Sequence, residues 1–371
     1  MADCFPYTPD RKKQQIWIEG TCYTSRDFSS DSFPLPEKYR ETFRELRDFL
    51  REWFNDSPCL SVQTSGSTGI PQHLSVPKEQ MMQSARMTCS FLNLHPGDTA
   101  LLCMPLKYIG AKMMVVRALI AGLNLIVRPA SGHPLSEMAM PIDFAAMVPL
   151  QVYNSLQVPG EKGQLEKIKI LIIGGSAIDL SLEEKLSCLP NRIYSTYGMT
   201  ETLSHIALRQ LNGPERDLAY TPFPSVKITT DEEGCIQIDA PSISGNVIQT
   251  HDIGEILPDT RFLVKGRKDN VINSGGIKIQ IETVERIVAG LLSSPFAITS
   301  VPDPKLGEQL VLLTSNKEEV HQLEKEIKNA LPAYYYPRQI IQVESIPSAG
   351  NGKINRYECK EIALRKCGYK L

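Results

Sequence analysis

The sequence predicts an α/β fold: a large N-terminal domain with mainly parallel sheets and a small β element, followed by a small α+β domain at the C terminus. Apolar, β-rich runs alternate with helical patterns up to about residue 220, short strands separated by acidic or glycine turns follow, and two helical stretches flanked by short strands come after Gly266. Strands that alternate with helices are typical of a parallel sheet. We therefore expect domains at residues 1–266 and 267–371.

A packing helix is predicted at residues 37–54, before the first buried strands. Its large apolar residues recur at steps of three and four while the other positions are charged, which is the period of an amphipathic helix. These residues are Tyr39, Phe43, Leu46, Leu50 and Trp53. We expect them in the core and assign them no chemistry.

The alternation that follows predicts the parallel sheet. Strands are expected in "TALLCMPL" (99–106), "LNLIVRP" (123–129) and "IKILIIGG" (168–175). Helices are expected in "AKMMVVRALIAG" (111–122) and "LSLEEKLSCL" (180–189). A sheet built in this way meets its ligands where the strands end.

The sequence pattern changes near residue 220, where the alternation of strands and helices ends. "SVKITT", "CIQID" and "FLVKG" predict short antiparallel strands, and "IETVERIVAGLL" and "KEEVHQLEKEIKNAL" predict two helices of the C-terminal domain. About 105 residues suffice for a small α+β domain.

Composition points to a soluble protein that binds a small molecule. The chain has 371 residues, 42% of them apolar, and 40 basic side chains balance 42 acidic ones. A net charge of −2 gives no reason to expect nucleic acid or an anionic membrane surface as a partner. The start lacks a signal-peptide core, and Arg117 and Asn124 interrupt the most apolar stretch, so we expect a cytoplasmic protein without a membrane span. Nine cysteines without a Cys-x-x-Cys pair are expected to be reduced and structural.

The stretch "TSGSTGIPQ", Thr64 to Gln72, is a candidate phosphate loop. Glycine lets backbone N–H groups approach an anion closely, and the hydroxyl side chains add further donors. The loop lacks the Gly-Lys-Ser/Thr of a Walker motif, which disfavours a P-loop NTPase. A solvated turn is the alternative.

A second candidate element is "IYSTYGMTET", which contains Tyr197, Gly198, Thr200 and Glu201 after an apolar strand. A hydroxyl beside a carboxylate suits a phosphate oxygen and its Mg²⁺, and Tyr197 could stack on a base. The alternative is a β-edge turn with a solvated glutamate. Residues 174–176, Gly-Gly-Ser, also end a predicted strand, where ligands meet backbone in an open α/β sheet.

Four motifs carry a resemblance to a known superfamily. "TSGSTGIPQ", "STYGMTE", "GRKDNVINSGGIKI" and "AGNGKINR" occur in the order and approximate spacing found in the adenylate-forming acyl-CoA synthetases, which include luciferases and peptide-synthetase adenylation domains. The resemblance covers the chain from about residue 60 to its end. Within the superfamily, "MPLKYIGAKMMVVRAL", "MVPLQ" and "YGMTETLSHIAL" resemble most the o-succinylbenzoate–CoA ligases of menaquinone biosynthesis.

The resemblance implies a two-step reaction with ATP, Mg²⁺ and CoA. A carboxylate and ATP give an acyl-adenylate and pyrophosphate, and the CoA thiol then displaces AMP to form a thioester. The implied β- and γ-phosphate ligands are Thr64, Ser65, Gly66, Ser67, Thr68 and Gly69. The resemblance places Thr200 at the α-phosphate, Glu201 on Mg²⁺, and Asp252 and Arg267 at the ribose hydroxyls. It places Gly174, Gly175, Ser176 and Tyr197 near adenine and includes Gly198 among the nucleotide-binding residues.

The resemblance also implies a mobile C-terminal domain. Lys353 matches the lysine that bridges the acyl carboxylate and the α-phosphate during adenylation, a sensible place for a flexible point charge; on residue type alone it reads as a solvated loop lysine. Asp269 matches the hinge about which the domain turns between the two half-reactions. Gly275 and Gly276 would let pantetheine pass, and Lys278 is a candidate contact for CoA phosphate or an ordinary surface lysine.

o-Succinylbenzoate has a second carboxylate, so its pocket should offer a cation or hydroxyl groups. By position, the candidates are Lys107, Arg117, Ser204 and His205.

Four positions depart from the family pattern. Gln72 stands where the phosphate loop usually has lysine, which predicts weaker ATP binding. His251 replaces the glycine of Thr-Gly-Asp, Tyr108 stands where His or another aromatic residue is common, and Leu150 replaces a threonine of the ligases.

Three readings therefore remain open from the sequence: a CoA ligase for o-succinylbenzoate or another aryl or acyl acid, a non-catalytic nucleotide-binding homologue, and an adenylation domain that loads a carrier protein. Glu201, Arg267, Asp269 and Lys353 argue against the second reading, and no carrier motif follows in the chain. The acid, the presence of a homo-oligomer and the hinge conformation are left open by the sequence.

Overall fold

A computed structural model of the chain provides the structure. The described residues are 10–29, 33–63, 73–292, 294–315, 320–348 and 354–369. No helix within these ranges is both long enough and apolar enough to cross a membrane. The cysteines in these ranges are free thiols, as the sequence predicts.

The central feature is a sheet to which nine strands of the described chain contribute. Its spatial order is β11-β10-β9-β8-β7-β5-β6-β1-β2, and the six strands from β9 to β1 run parallel. The nine strands are β1 (Gln15–Ile18), β2 (Thr21–Thr24), β5 (Thr99–Leu102), β6 (Asn124–Val127), β7 (Phe144–Met147), β8 (Ile170–Ile173), β9 (Arg192–Gly198), β10 (His205–Gln210) and β11 (Thr221–Pro222). This sheet confirms the predicted α/β class.

Helices cover both faces of the parallel strands. In β5, for example, Leu102 packs with one set of helices and Leu101 with the other, because neighbouring side chains of a strand point to opposite faces. One face is covered by α2 (Arg40–Phe54), α3 (Lys78–Leu92) and α4 (Ile109–Ala121), with α1 (Ser25–Ser29) beside α2. The other is covered by α5 (Pro149–Gln157), α6 (Pro159–Leu165) and α7 (Leu180–Ser187). Ligands can therefore reach the strands at their ends.

Three smaller sheets complete the fold. A hairpin pairs β3 (Cys59–Gln63) with β4 (His73–Pro77). A four-stranded antiparallel sheet contains β12 (Lys227–Thr230), β13 (Cys235–Asp239), β14 (Ile248–Ile256) and β15 (Phe262–Arg267). A five-stranded sheet contains β16 (Val271–Ser274), β17 (Ile277–Gln280), β18 (Phe296–Asp303), β19 (Gly307–Thr314) and β20 (Gln339–Gln342). The predicted strands and helices of both halves are confirmed, with ends that differ by a few residues.

The five-stranded sheet also carries helices on both faces. The helices α8 (Ile281–Ala289) and α9 (Val320–Ala330) pack on one face, and α10 (Arg356–Lys366) packs on the other. One turn of 3-10 helix, Lys268–Asn270, joins β15 to β16 and so connects this sheet to the four-stranded one. The predicted boundary at residue 266 falls just before that turn, inside β15.

The packing helix α2 begins at Arg40, after a 3-10 turn at residues 37–39, and ends against a buried and a half-buried cation, Lys78 and Arg11. The Nζ atom of Lys78 donates to the carbonyl of Glu52 at 2.6 Å and to Oδ1 of Asn55 at 2.8 Å. Arg11 donates to the carbonyl of Trp53 at 2.9 Å. Cations at a helix C terminus satisfy its last carbonyls and its dipole. Burial, and then the charge of Arg11, lower the pKa of Lys78 to about 8.

This pKa predicts a pH-dependent contribution to stability. The unfolded chain holds the Lys78 proton up to about pH 10.5 and the folded protein up to about pH 8, so the free energy of unfolding rises with pH between these values. We expect the free energy of unfolding of the unchanged protein, measured in urea, to rise by about 1 to 2 kcal/mol between pH 7.5 and 9.5 relative to that of Lys78→Met. The exposed Lys169→Met variant is the control and should show no such trend; a constant difference for Lys78→Met would contradict the prediction.

Candidate active site

The predicted site residues of the N-terminal half lie at the carboxyl edge of the parallel strands. β8 ends at Ile173 and leads into residues 174–176, β9 ends at Gly198 and leads into residues 199–204, and β7 ends one residue before Val148. The structure thus brings the Gly-Gly-Ser segment and the Thr200–Glu201 segment to neighbouring strand ends, as the strand pairing of β8 with β9 requires.

Gln151, which the sequence analysis did not single out for a role, forms hydrogen bonds to the loops that follow three of the parallel strands. Its side chain is buried, and Nε2 donates to the carbonyls of Cys103 and Ser131, both at 2.9 Å. Its Oε1 accepts from the backbone N–H of Val148 at 3.1 Å. The loops after β5, β6 and β7 are therefore fixed relative to one another by one amide. A lone glutamine on a helix gives no sequence signal for this, because two of its three partners, Cys103 and Ser131, are 48 and 20 residues away in the chain.

Two glycines at the strand ends are required by their surroundings. A Cβ on Gly198 would lie 2.3 Å from the carbonyl oxygen of Ser204 and 2.5 Å from the Cα of His205. A Cβ on Gly174 would lie 2.2 Å from Oγ1 of Thr196. Both are closer than real Cβ contacts, so packing between adjacent strands already explains these glycines; their proximity to a nucleotide stays a prediction.

Residues 198–204 form a tight turn around Thr202, another residue that sequence reasoning missed. Thr202 is fully buried, and its Oγ1 accepts from the backbone N–H of Met199 at 2.9 Å and lies 2.7 Å from the Ser204 carbonyl. Leu203 has a left-handed φ of +63°. Within this turn Thr200 is half-buried and Glu201 is exposed. Thr200 and Glu201, which are predicted to bind phosphate and Mg²⁺, therefore lie in a turn that is stabilised by the hydrogen bonds of Thr202.

A buried polar chain starts at Arg117 in α4 and runs below this turn. Arg117 Nη2 donates to Ser204 Oγ at 2.5 Å, Ser204 Oγ lies 3.2 Å from Nδ1 of His205, and His205 Nε2 lies 3.0 Å from Oγ1 of Thr88. Because Arg117 is a donor, the Ser204 hydroxyl can donate to Nδ1, which leaves Nε2–H to donate to Thr88. Thr88 in turn donates to the Ser84 carbonyl at 3.3 Å.

This arrangement makes Arg117 the charged member of the chain. Burial, and secondarily the charge of Arg117, hold the pKa of His205 well below its usual range, so the imidazole is neutral. Burial lowers the pKa of Arg117 to about 10, which keeps the guanidinium charged at neutral pH. Arg117 is 2% exposed, no acidic side chain of the described chain pairs with it, and its Nε lacks a hydrogen-bond partner. A charge buried without a counter-charge is costly.

The predicted ribose pair, Asp252 and Arg267, lies side by side on β14 and β15. Arg267 Nη1 donates to Asp252 Oδ1 at 3.1 Å, and the Tyr197 hydroxyl donates to Asp252 Oδ2 at 2.8 Å. Burial, followed by the charge of Asp252, raises the pKa of Tyr197, which therefore stays protonated. The Tyr197 ring packs edge-on against Phe262 at 5.2 Å. Its stacking on adenine stays a prediction.

Arg267 also reaches the predicted hinge. Its Nη2 donates to Asp269 Oδ2 at 3.0 Å, and the ring Nδ1 of His251 lies 2.9 Å from both carboxylate oxygens of Asp269. Partial burial alone would raise the pKa of Asp269, but hydrogen bonds from His251 and Arg267 outweigh it and lower the pKa. His251, which departs from the family pattern, is therefore a partner of Asp269, the predicted hinge residue. The sequence did not predict this contact because the two residues are 18 positions apart.

The remaining predicted residues lie apart from these groups or outside the described residues. Lys107 is exposed, with Nζ 5.0 Å from the ring centre of Tyr108, and no hydrogen bond among the described residues joins it to Ser204 or His205. Gly275 and Gly276 form the left-handed turn between β16 and β17, where the Gly275 N–H donates to the Leu306 carbonyl. Lys278 is exposed on β17 and Leu150 on α5. The predicted residues outside the described ranges are Thr64, Ser65, Gly66, Ser67, Thr68, Gly69, Gln72 and Lys353.

The acidic groups present suit Mg²⁺ held together with a phosphate. Among the described residues, no cluster of three or more His, Cys, Asp or Glu side chains could hold a metal ion by itself. Mg²⁺ usually keeps waters and takes one or two carboxylates while phosphates supply further oxygens. The exposed Glu201 next to Thr200 fits that requirement.

The profile of the AMP-binding enzyme family matches residues 17–265, about two thirds of the chain. Among curated proteins, the 2-succinylbenzoate–CoA ligase of Escherichia coli K12 is 27% identical over 331 residues, which cover 85% of this chain and 71% of that ligase.

Solved structures agree with this match. An acyl-CoA synthetase (AMP-forming)/AMP-acid ligase II-like protein from Dyadobacter fermentans superposes with a TM-score of 0.61 at 33% identity and covers 89% of this chain and 96% of its own. The o-succinylbenzoate CoA synthetase of Bacillus subtilis, solved with the acyl-adenylate intermediate OSB-AMP, has a TM-score of 0.68 at 20% identity and covers 81% of this chain and 68% of its own, which supports the fold.

The hydrogen bonds of Thr202 predict how far the free energy of unfolding falls when its hydroxyl group is removed. Thr202→Val keeps the shape but leaves the partly buried Met199 N–H without its acceptor, and an unsatisfied buried donor costs about 1 to 3 kcal/mol. Urea unfolding should show a loss of this size. In the control, Thr229→Val, the hydroxyl is exposed, so the free energy of unfolding should change by less than about 0.5 kcal/mol. Equal effects in the two variants would contradict the role of Thr202.

Proposed function

The chain belongs to the AMP-binding enzyme family of AMP-forming acid–CoA ligases, and we propose that its substrate is 2-succinylbenzoate, which it converts to 2-succinylbenzoyl-CoA. Enzymes of this family use ATP with Mg²⁺ and CoA. The proposed sequence has two steps: the acid attacks the α-phosphate and releases pyrophosphate, and the CoA sulfur then attacks the acyl carbon and releases AMP. Alternatives are another aryl or acyl acid as substrate, or a non-catalytic nucleotide-binding homologue.

The strand-end residues have a proposed role in the first step. Thr200 and Glu201 lie in the turn after β9, where Thr200 is half-buried and Glu201 is exposed. This position suits Thr200 as a hydroxyl donor to the α-phosphate and Glu201 as a carboxylate ligand of Mg²⁺. When bound there, Mg²⁺ would neutralise charge on the phosphates. Asp252, held by Tyr197 and Arg267, keeps carboxylate lone pairs for ribose hydroxyls. We also propose that Lys353, by its motif, stabilises charge between the acyl carboxylate and the α-phosphate.

The buried guanidinium of Arg117 carries the proposal for the substrate. It is charged at neutral pH, lacks an acidic partner in the described chain, and bonds to Ser204, three residues after Glu201. An acid whose reacting carboxylate lies at Thr200 would therefore have a cation nearby for a second carboxylate. 2-Succinylbenzoate has two carboxylates, and a bound second carboxylate would replace the missing counter-charge.

The remainder of the polar chain prepares Arg117 for this role. His205 and Thr88 fix the orientation of the Ser204 hydroxyl, and Ser204 in turn fixes Nη2 of Arg117. A donor that is already oriented loses less freedom when it binds. The similarity to the Escherichia coli ligase adds support for the same acid, at an identity that leaves the acid to be tested directly.

The direct test is pyrophosphate release with ATP, Mg²⁺ and CoA over a panel of acids: 2-succinylbenzoate, benzoate, a medium-chain fatty acid and acetate. We expect turnover with 2-succinylbenzoate at a kcat/KM at least about 100-fold above that for benzoate, because benzoate lacks a partner for Arg117. Formation of the thioester without any partner protein would exclude the carrier-loading reading. Preferred turnover of another acid would refute 2-succinylbenzoate as the substrate. Absence of pyrophosphate release with every acid of a wide panel would favour the non-catalytic homologue.

Arg117→Met separates substrate binding from a structural role. Replacing a buried unpaired charge by an apolar side chain is neutral or stabilising, so the free energy of unfolding of the ligand-free protein should stay equal or rise by about 1 kcal/mol. The KM for 2-succinylbenzoate should rise about 30-fold or more, while the KM for ATP should stay within about twofold. Arg128→Gln, which removes a cation that, unlike Arg117, pairs with a carboxylate, Glu19, is the control. Loss of stability with an unchanged KM would identify Arg117 as structural.

A further inference from the structure

The connection between the four-stranded and five-stranded sheets is short and sits beside the proposed nucleotide site. β15 ends at Arg267, the 3-10 turn covers Lys268–Asn270, and β16 begins at Val271. The Val271 N–H closes the turn by donating to the Lys268 carbonyl. Any rotation of one sheet relative to the other must change backbone angles within these few residues.

His251 reaches this turn from the exposed side of β14. Thr250 and Asp252 point to the buried side, so His251, between them, points outward and is 59% exposed. Asp269 can accept but not donate when ionised, so the Nδ1 atom of His251 carries the hydrogen and donates to it. The imidazole therefore links β14 of one sheet to the middle residue of the connecting turn.

Asp269 is held from two sides. His251 donates from β14, and Arg267 donates from the end of β15 while its other Nη atom donates to Asp252. One guanidinium thus bridges the proposed ribose carboxylate and the turn. Without His251, Arg267 would be the remaining partner of Asp269 among the described residues, and it is already shared.

We propose that His251 is a positioning residue that latches the connecting turn through Asp269 and thereby sets the balance between adenylation and thioester formation. The part about catalysis rests on the proposed function; the latch itself does not. The resemblance in sequence leads one to expect a glycine at position 251, so the latch is inferred from this chain's own histidine and not from the family pattern.

Neighbouring charges do not duplicate the latch. Lys268 pairs with Glu233 at 2.5 Å, and Asn270 and Gln280 both donate to Glu282. These contacts involve other residues of the turn and its flanks, and none of them reaches Asp269. Exposed ion pairs are weak, so the latch should shift an equilibrium by about two- to fivefold, enough to bias a hinge without locking it.

Hydrogen–deuterium exchange of the full-length protein tests the latch without any substrate. We expect His251→Gly to speed exchange in the peptide that contains residues 268–272 about two- to fivefold, because the Val271 N–H loses protection when the turn opens. His251→Asn, whose Nδ2 can replace the Nδ1 donor, should restore most of the protection. Peptides from β18 should not change.

A matched control is available on the same two strands. Lys265 and Glu255 form an exposed pair at 2.7 Å away from the turn. Glu255→Gln removes a similar ion pair and should leave exchange at residues 268–272 unchanged. If His251→Gly changes exchange no more than Glu255→Gln, the latch is refuted whatever acid the enzyme uses.

The link to catalysis is tested by measuring the half-reactions separately, as acid-dependent pyrophosphate exchange and as CoA-dependent release of AMP from preformed acyl-adenylate. The ratio of the two rates should change two- to fivefold in His251→Gly and return in His251→Asn, with the KM for ATP within twofold. Faster exchange with an unchanged ratio would overturn the catalytic part of the proposal.

Discussion

Burial of both faces of the parallel strands is the constraint on which the rest of the structure depends. Because helices cover the two faces, backbone groups are accessible at the strand ends, and the loops there carry the residues that match nucleotide-binding motifs. Buried polar side chains hold the loops at this edge in place. Gln151 fixes the loops after β5, β6 and β7 relative to one another, and Thr202 fixes the turn after β9 from within.

The two charged groups of the site have different surroundings. Asp252 and Asp269 share a network of donors at the edge of the four-stranded sheet, where partial exposure lets charges pair and re-pair at small cost. Arg117 lies in the core, where an uncompensated charge is expensive. The partly exposed network therefore suits the proposed hinge, and the buried guanidinium suits the proposed recognition of one substrate group.

Local patterns predicted a part of the strands and helices and the edge at which the site lies. Periodicity identified α2, the alternation of apolar and helical runs identified β5, β6, β8, α4 and α7, and glycine and hydroxyl residues identified the loops at residues 174–176 and 197–201. Strands such as β1 and β7 and helices such as α3 and α5 were not predicted. The contacts that join Arg117 to Ser204, His205 to Thr88 and His251 to Asp269 could not be predicted, since each joins residues 18 to 117 positions apart. Thr202 was overlooked because the pattern drew attention to its exposed neighbours, while its burial depends on how the turn closes.

The neutral state of His205 has a consequence for how the polar chain from Arg117 to Thr88 responds to pH. With the pKa of His205 well below its usual range and that of Arg117 about 10, this chain carries one positive charge at neutral pH. If the proposed function holds, the attraction for a second carboxylate would not vary with pH around neutrality. The choice of acid and the rate of the reaction could then be adjusted separately, because the charge that selects the acid would stay constant while other groups titrate.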